Sequence, residues 1–128
     1  HWHGLKVPPV MDGHPENVIS AGSSFSYNFT INQRAGLYWY HPHADGTTAQ
    51  QAFQGLGGLF VVNDLEESAL NLPSGSRELL LAIQDKRISS GRISYSPSMQ
   101  EQMTGLMGQY VLVNGNYSPF HLVETAKY

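Results

Sequence analysis

"LYWYHPHADG", residues 37–46, sets two histidines either side of a proline at the end of an aromatic run. "HWHG", residues 1–4, repeats the His-x-His spacing, so these two stretches hold four of the six histidines. In a β-strand, residues two apart point to the same face. His41 and His43 therefore share a face if the aromatic run is a strand, and so do His1 and His3. Pro42 offers no backbone donor, which places it at a sheet edge or a strand end. Imidazole is the commonest metal ligand and suits copper and zinc. One pair alone reads equally well as unrelated surface histidines. Two pairs on neighbouring strands would set four imidazoles around one small volume.

The flanking sequence reads mostly as strands. "FSYNFTI" (25–31) alternates, with Phe25, Tyr27, Phe29 and Ile31 on one face and polar residues on the other. "GLYWYH" (36–41), "GLFVVND" (58–64), "ELLLAIQD" (78–85) and "YVLVNG" (110–115) are rich in aromatic or branched residues and bounded by turn formers. This spacing suits an antiparallel sandwich or barrel. Two short helices are expected. One covers "TTAQQAF" (47–53) and stops at Gly55; the other begins near Ser98, where "SMQE" has the Ser-x-x-Glu form of a capping box. "ESALNLPSGSRE" (67–78) reads as a polar surface loop.

A length of 128 residues allows one domain, or parts of two. The net charge of −3 gives no general pull toward nucleic acid or an acidic membrane, and neither is expected as a partner. No apolar run approaches a membrane span. No signal peptide is present, and the ends look cut. Cysteine is absent, so disulfides, thiolate nucleophiles and thiolate metal sites are excluded from this chain. Any metal here is held by nitrogen and oxygen.

Other residues take plainer readings. His14 follows an Asp-Gly turn and reads as solvated; His121 reads as structural. Met99, Met103 and Met107 are spaced four apart, which suggests copper handling, but a methionine stripe at helical spacing is usually packing, and packing is the expectation. Asn28 and Asn116 are formal glycosylation acceptors, meaningful only in a eukaryotic secretory setting. Lys86 and Arg87 read as a solvated turn.

"HWHGLKVPPVMDG" followed by "AGLYWYHPHADGTTAQQAFQGLGGLFVVND" resembles the first cupredoxin domain of the multicopper oxidases, the laccase-like enzymes. "LLLAIQDKR" and "GQYVLVNG" are similar to the end of that domain and the crossing into the second. The resemblance implies an all-β, Greek-key, plastocyanin-like sandwich with short helical segments. It implies a first domain over residues 1–93 lacking its N-terminal strands, and a linker with the start of a second cupredoxin domain over 94–128. It implies that His1 binds a type 2 copper, that His3 and His41 bind one type 3 copper, and that His43 binds the other. These would be half of a trinuclear cluster that reduces dioxygen to water with electrons from a small reducing substrate, phenolic or metal-ion. Asp12, in the "MDG" turn, would be a carboxylate near the cluster that helps deliver protons. An extracellular or periplasmic, secreted parent follows from the same likeness.

The departures from the family pattern bear on the chain's reach. Asp45 stands where many members carry a further histidine beyond HPH, which implies a local change only. The family's remaining cluster histidines lie in a C-terminal domain and have no counterpart here. The type 1 copper needs a cysteine that this chain lacks. The chain is expected to be an internal piece of a longer oxidase and inactive by itself. Two rival classes use the same histidines. A mononuclear copper monooxygenase would bind metal through the ring and amino group of His1, which leaves HPH unexplained. A non-catalytic β-sandwich module would hold zinc or no metal.

Overall fold

The computed structural model describes residues 1–128. Contacts divide the chain into two compact units, His1–Ala52 with Leu56–Leu72, and Phe53–Gly55 with Pro73–Tyr128. No helix is long and apolar enough to cross a membrane.

The first unit is built on an antiparallel sheet in the order β1 (Trp2–His3), β2 (Gly36–Tyr40), β3 (Gly58–Val62). Trp2 pairs with Tyr40, His3 with Trp39, and Tyr38 with Phe60. Alternation puts Trp2 and Tyr40 on one face, and there Trp2 meets the rings of Tyr27, Phe29, Tyr40 and Phe60 with centroids 5.4–5.8 Å apart. The indole Nε1 donates to the Met11 carbonyl at 3.0 Å. Tyr40 lies so close over β3 that a Cβ on Gly58 would come 2.5 Å from its hydroxyl. This aromatic cluster fastens the strand that carries His1 and His3 to the strand that leads into His41.

Residues 25–31 do not form the expected strand. Tyr27 and Phe29 do turn toward Trp2, as the alternation requires, but no ladder forms beside them. Apolar alternation sorts side chains into faces; a strand also needs a partner in register. The expected loop at 67–78 is also corrected. A short helix, α2 (Leu65–Ala69), takes up residues 67–69 of it, and a 3-10 turn occupies Gly75–Arg77. Asp64 caps α2 by accepting from the Glu67 amide at 2.7 Å, and it also accepts from the Ala35 amide at 2.9 Å. One carboxylate thus starts α2 and pins the entry to β2. The helix expected at 47–53 is α1 (Thr48–Phe53), and Gly55 ends it at φ +103°.

The second unit contains a sheet in the order β4 (Ile83–Lys86), β7 (Tyr110–Val113), β8 (Asn116–Tyr117), and a two-stranded hairpin, β5 (Ile88–Ser89) with β6 (Arg92–Ile93). Asn114-Gly115 turns β7 into β8 with both residues at positive φ, the conformation that suits the twist of a two-residue hairpin. Only the end of 78–85 joins the sheet. Ahead of it, the Asn114 side chain accepts from the Ala82 amide at 2.8 Å and donates to the Leu80 carbonyl at 2.9 Å, standing in for a ladder. The helix α3 (Met99–Thr104) carries the expected capping box, Ser98 with Glu101.

Two readings are overturned in this unit. Lys86 is not in a solvated turn: it is 3 % exposed, with its ammonium 5.2 Å from the centroid of the Phe53 ring. Arg87 donates to Glu101 at 2.7 Å. Met99, Met103 and Met107 do not pack; they are 82, 85 and 80 % exposed. Helical spacing groups such side chains without saying that anything covers them.

Few apolar side chains are fully buried: Val62 in the first unit and Leu112 in the second.

Candidate metal centre

The histidines converge because of strand register. Trp2 pairs with Tyr40, so His1 stands opposite His41. The His1 backbone nitrogen donates to the His41 carbonyl oxygen at 2.8 Å, and the His41 amide donates back to the His1 carbonyl at 3.1 Å. Residues directly opposite share a face, as do residues two apart. His1, His3, Trp39 and His41 are therefore on the face opposite Trp2 and Tyr40.

Ring centroids of His1, His3 and His41 lie 5.3–5.6 Å apart, and one nitrogen from each falls within 4.8 Å of the other two. His43 follows Pro42 and stands 5.3 Å from the His1 ring and 5.7 Å from the His41 ring. His3 Nδ1 and His41 Nε2 stand 3.4 Å apart. Two nitrogens sharing an ion at about 2.0 Å each would stand at a similar separation.

The second ring nitrogens are arranged to leave ligand lone pairs bare. His1 Nδ1 lies 3.0 Å from Asp12 Oδ1, and His41 Nδ1 lies 2.8 Å from the Pro42 carbonyl oxygen. A carbonyl only accepts, and so does an ionised carboxylate. Each Nδ1 then carries the hydrogen and each Nε2 keeps its lone pair, that of His41 facing His3 Nδ1 at 3.4 Å. His43 Nδ1 is buried without a hydrogen-bond partner. A buried, unpaired imidazole nitrogen is costly unless something binds it, and metal ligation accounts for it. The donor set is nitrogen only, with carboxylate behind it, and fits copper or zinc by chemistry.

Asp12 is held by its turn. A 3-10 turn at Pro9–Met11 ends with the Asp12 amide donating to the Pro9 carbonyl. Gly13 follows at φ +71°, where a Cβ would come 2.8 Å from the His1 nitrogen. His14 is exposed and outside the cluster, yet it lines the same cavity of about 440 Å³ as His1, His41 and His43. His121 is exposed, in the second unit. Sequence reasoning missed Trp39, Gly13 and the Pro42 carbonyl. Trp39 had a signal: it stands two residues before His41 on a strand.

The multicopper oxidase family profile matches residues 1–67. The chain is 40 % identical over 121 residues to "Multicopper oxidase mco" of Staphylococcus haemolyticus, covering 93 % of this chain and 26 % of that protein. It superposes on a bacterial laccase-like multicopper oxidase from Ochrobactrum sp. with a TM-score of 0.85 and 41 % identity, covering 93 % of this chain and 27 % of that one. It is also 37 % identical over 120 residues to "Cell division protein FtsP" of Sodalis glossinidius, covering 91 % of this chain and 25 % of that protein.

The chain belongs to the multicopper oxidase family, with the all-β cupredoxin fold of its structural relatives and short helices between the strands. Copper is the metal that membership implies. The chain spans about a quarter of the length of the relatives it matches. Because one relative is named for cell division, activity has to be argued from the site.

Proposed function

We propose that this chain is the part of a multicopper oxidase that supplies half of the ligands of a trinuclear copper cluster. In this reading His1 holds the type 2 copper, His3 and His41 share one type 3 copper, and His43 holds the other. The observation that carries it is the 3.4 Å approach of His3 Nδ1 to His41 Nε2, beside the unpaired Nδ1 of His43. Bound copper supplies the stepwise electron transfer that takes dioxygen to water.

The chain's own residues orient, shield and protonate. Asp12 keeps the His1 ring in the tautomer that leaves Nε2 bare, and the Pro42 carbonyl does the same for His41. Asp12 is a half-exposed carboxylate one hydrogen bond from a ligand, so it is placed to take a proton from solvent and pass it toward the site. The type 1 copper and the other cluster ligands belong to the remaining domains of the parent, since no thiolate exists here. The donor is a small reductant, phenolic or a metal ion, and the parent works outside the cytoplasm, in the periplasm or secreted. Within the parent, this chain holds most of the first cupredoxin domain and the beginning of the second. The join lies near residue 93 by motif spacing, or at Leu72–Pro73 where the compact units part; limited proteolysis of the intact parent decides between them.

The test is made on the full-length protein. Copper content and oxygen uptake are measured with a phenolic donor and with a cuprous donor, for the wild type and for His3→Ala and His41→Ala. Loss of copper and of oxygen uptake in both variants is expected. Wild-type turnover by either variant overturns the assignment.

A further inference from the structure

Trp39 lies against two of the histidines at once. It is the cross-strand partner of His3 and stands two residues before His41 on the same face. Its indole is stacked on the His41 ring at 4.3 Å between centroids and 29° between planes. The His3 ring is 4.8 Å away at 31°. These are the two imidazoles whose nitrogens approach to 3.4 Å. The other tryptophan, Trp2, sits in the aromatic cluster of the opposite face with its N–H bonded. Trp39 has no such place, being 43 % exposed.

The two rings differ in what else holds them. His41 has the Pro42 carbonyl on its Nδ1. His3 has no carbonyl or carboxylate partner; its contacts are the His41 nitrogen, the His1 ring edge and the indole face. The χ2 torsion of histidine is soft, so a ring without a second hydrogen bond turns freely unless something flanks it. A flat aromatic surface flanks it at small cost in its own freedom, and offset stacking is a favoured arrangement.

We infer that Trp39 is a positioning residue for the metal pair. Its indole face holds the His3 and His41 rings in the orientation in which Nδ1 of one and Nε2 of the other share a single ion. This role rests on the copper reading above and adds a determinant of affinity that is not itself a ligand. Because β1 is only two residues long, the flank also compensates for a ligand-bearing strand with little ladder of its own.

The experiment uses the full-length protein as wild type, Trp39→Leu, Trp39→Phe and, as a ligand control, His3→Ala. Copper affinity is read by competition with a chelator, and ligand geometry by the copper X-ray absorption spectrum. Removing a residue that orients a metal ligand costs about 10–100-fold in affinity. Trp39→Leu is expected to lose affinity on that scale at the site His3→Ala removes, with a changed spectrum. Trp39→Phe, which keeps a flat ring, is expected to restore both. Wild-type affinity and an unchanged spectrum in Trp39→Leu, while His3→Ala loses the ion, overturn the role of Trp39 and leave the copper reading standing. Unaltered copper binding in His3→Ala overturns the copper reading and this inference with it. A measurement on the metal-free wild type guards against a misfolded variant. The His3 and His41 ring protons should resonate upfield of free histidine because of the indole ring current, and unshifted resonances reject the stacking role.

Discussion

Nδ1 of His1 stands 3.0 Å from Oδ1 of Asp12, across a turn of the chain that Gly13 closes against the His1 backbone. This one contact sets the tautomer of the His1 ring and places a carboxylate oxygen next to it. Replacing Asp12 by Asn and by Ala separates the two effects. Asp12→Asn keeps an oxygen acceptor for Nδ1–H but removes the negative charge and the proton-carrying group. Copper content in the full-length protein should stay near wild type while oxygen reduction slows. Asp12→Ala removes the acceptor as well, and copper affinity should fall about 10–100-fold. Metal analysis and oxygen uptake on both variants check this; equal turnover in Asp12→Asn and the wild type removes Asp12 from proton delivery.

Gly58 is the second point at which the site depends on a close backbone approach. A Cβ there would fall 2.5–2.8 Å from three atoms of the Tyr40 ring. Tyr40 is the residue before His41 and packs on Trp2, between His1 and His3. Gly58→Ala should destabilise the first unit by about 1–3 kcal/mol through overpacking. It should also weaken copper binding, although residue 58 is none of the four histidines. Amide exchange over 36–43, read by mass spectrometry, tests the first effect, and unchanged protection rejects it.

Glu101 makes the second unit acid-sensitive. Its hydrogen bond from Arg87, helped by the Ser98 amide and hydroxyl, lowers its pKa from 4.5 to about 2. A depressed carboxylate pKa means the ionised form is favoured in the fold. The stabilisation is fully present above the unfolded value of 4.5 and is lost as pH falls from there toward 2. Amides of α3 in the wild type should exchange more slowly than in Glu101→Gln at neutral pH, and the gap should close across that window. A gap that persists at pH 2 contradicts the assignment.

The same residues show what the sequence could and could not reveal. The His-x-His pairs were legible from their spacing, although only His3 lies within a strand: His1 precedes β1, and His41 and His43 follow the end of β2. Their convergence additionally needed the register that sets His1 opposite His41, which alternation does not specify. "FSYNFTI" displayed its faces but not its lack of a ladder partner. The capping box at Ser98 was readable because it is local, four residues long. Asp64 was missed because half of its work, the Ala35 bond, is 29 residues away in sequence. Lys86 and the three methionines were misassigned for one reason: burial is decided by what packs from elsewhere in the chain, and neither charge nor helical spacing encodes that.

The last expectation concerns the 128-residue polypeptide made alone. It carries four imidazoles with prepared lone pairs, so copper(II) should bind, through His3 and His41 above all, because their nitrogens already stand at 3.4 Å. It has no cysteine, so no thiolate can give the intense blue absorption of a type 1 site or take electrons from a donor. If these histidines are half of a trinuclear cluster, as proposed above, dioxygen meets none of the additional metals that full four-electron reduction requires. Copper-loaded polypeptide should therefore bind metal without blue colour and consume no oxygen with either a phenolic or a cuprous donor. The measurement is an oxygen electrode trace on purified polypeptide with copper content determined in the same sample. Four-electron turnover there, with no further domain added, would require a different copper site from the one built on His1, His3, His41 and His43.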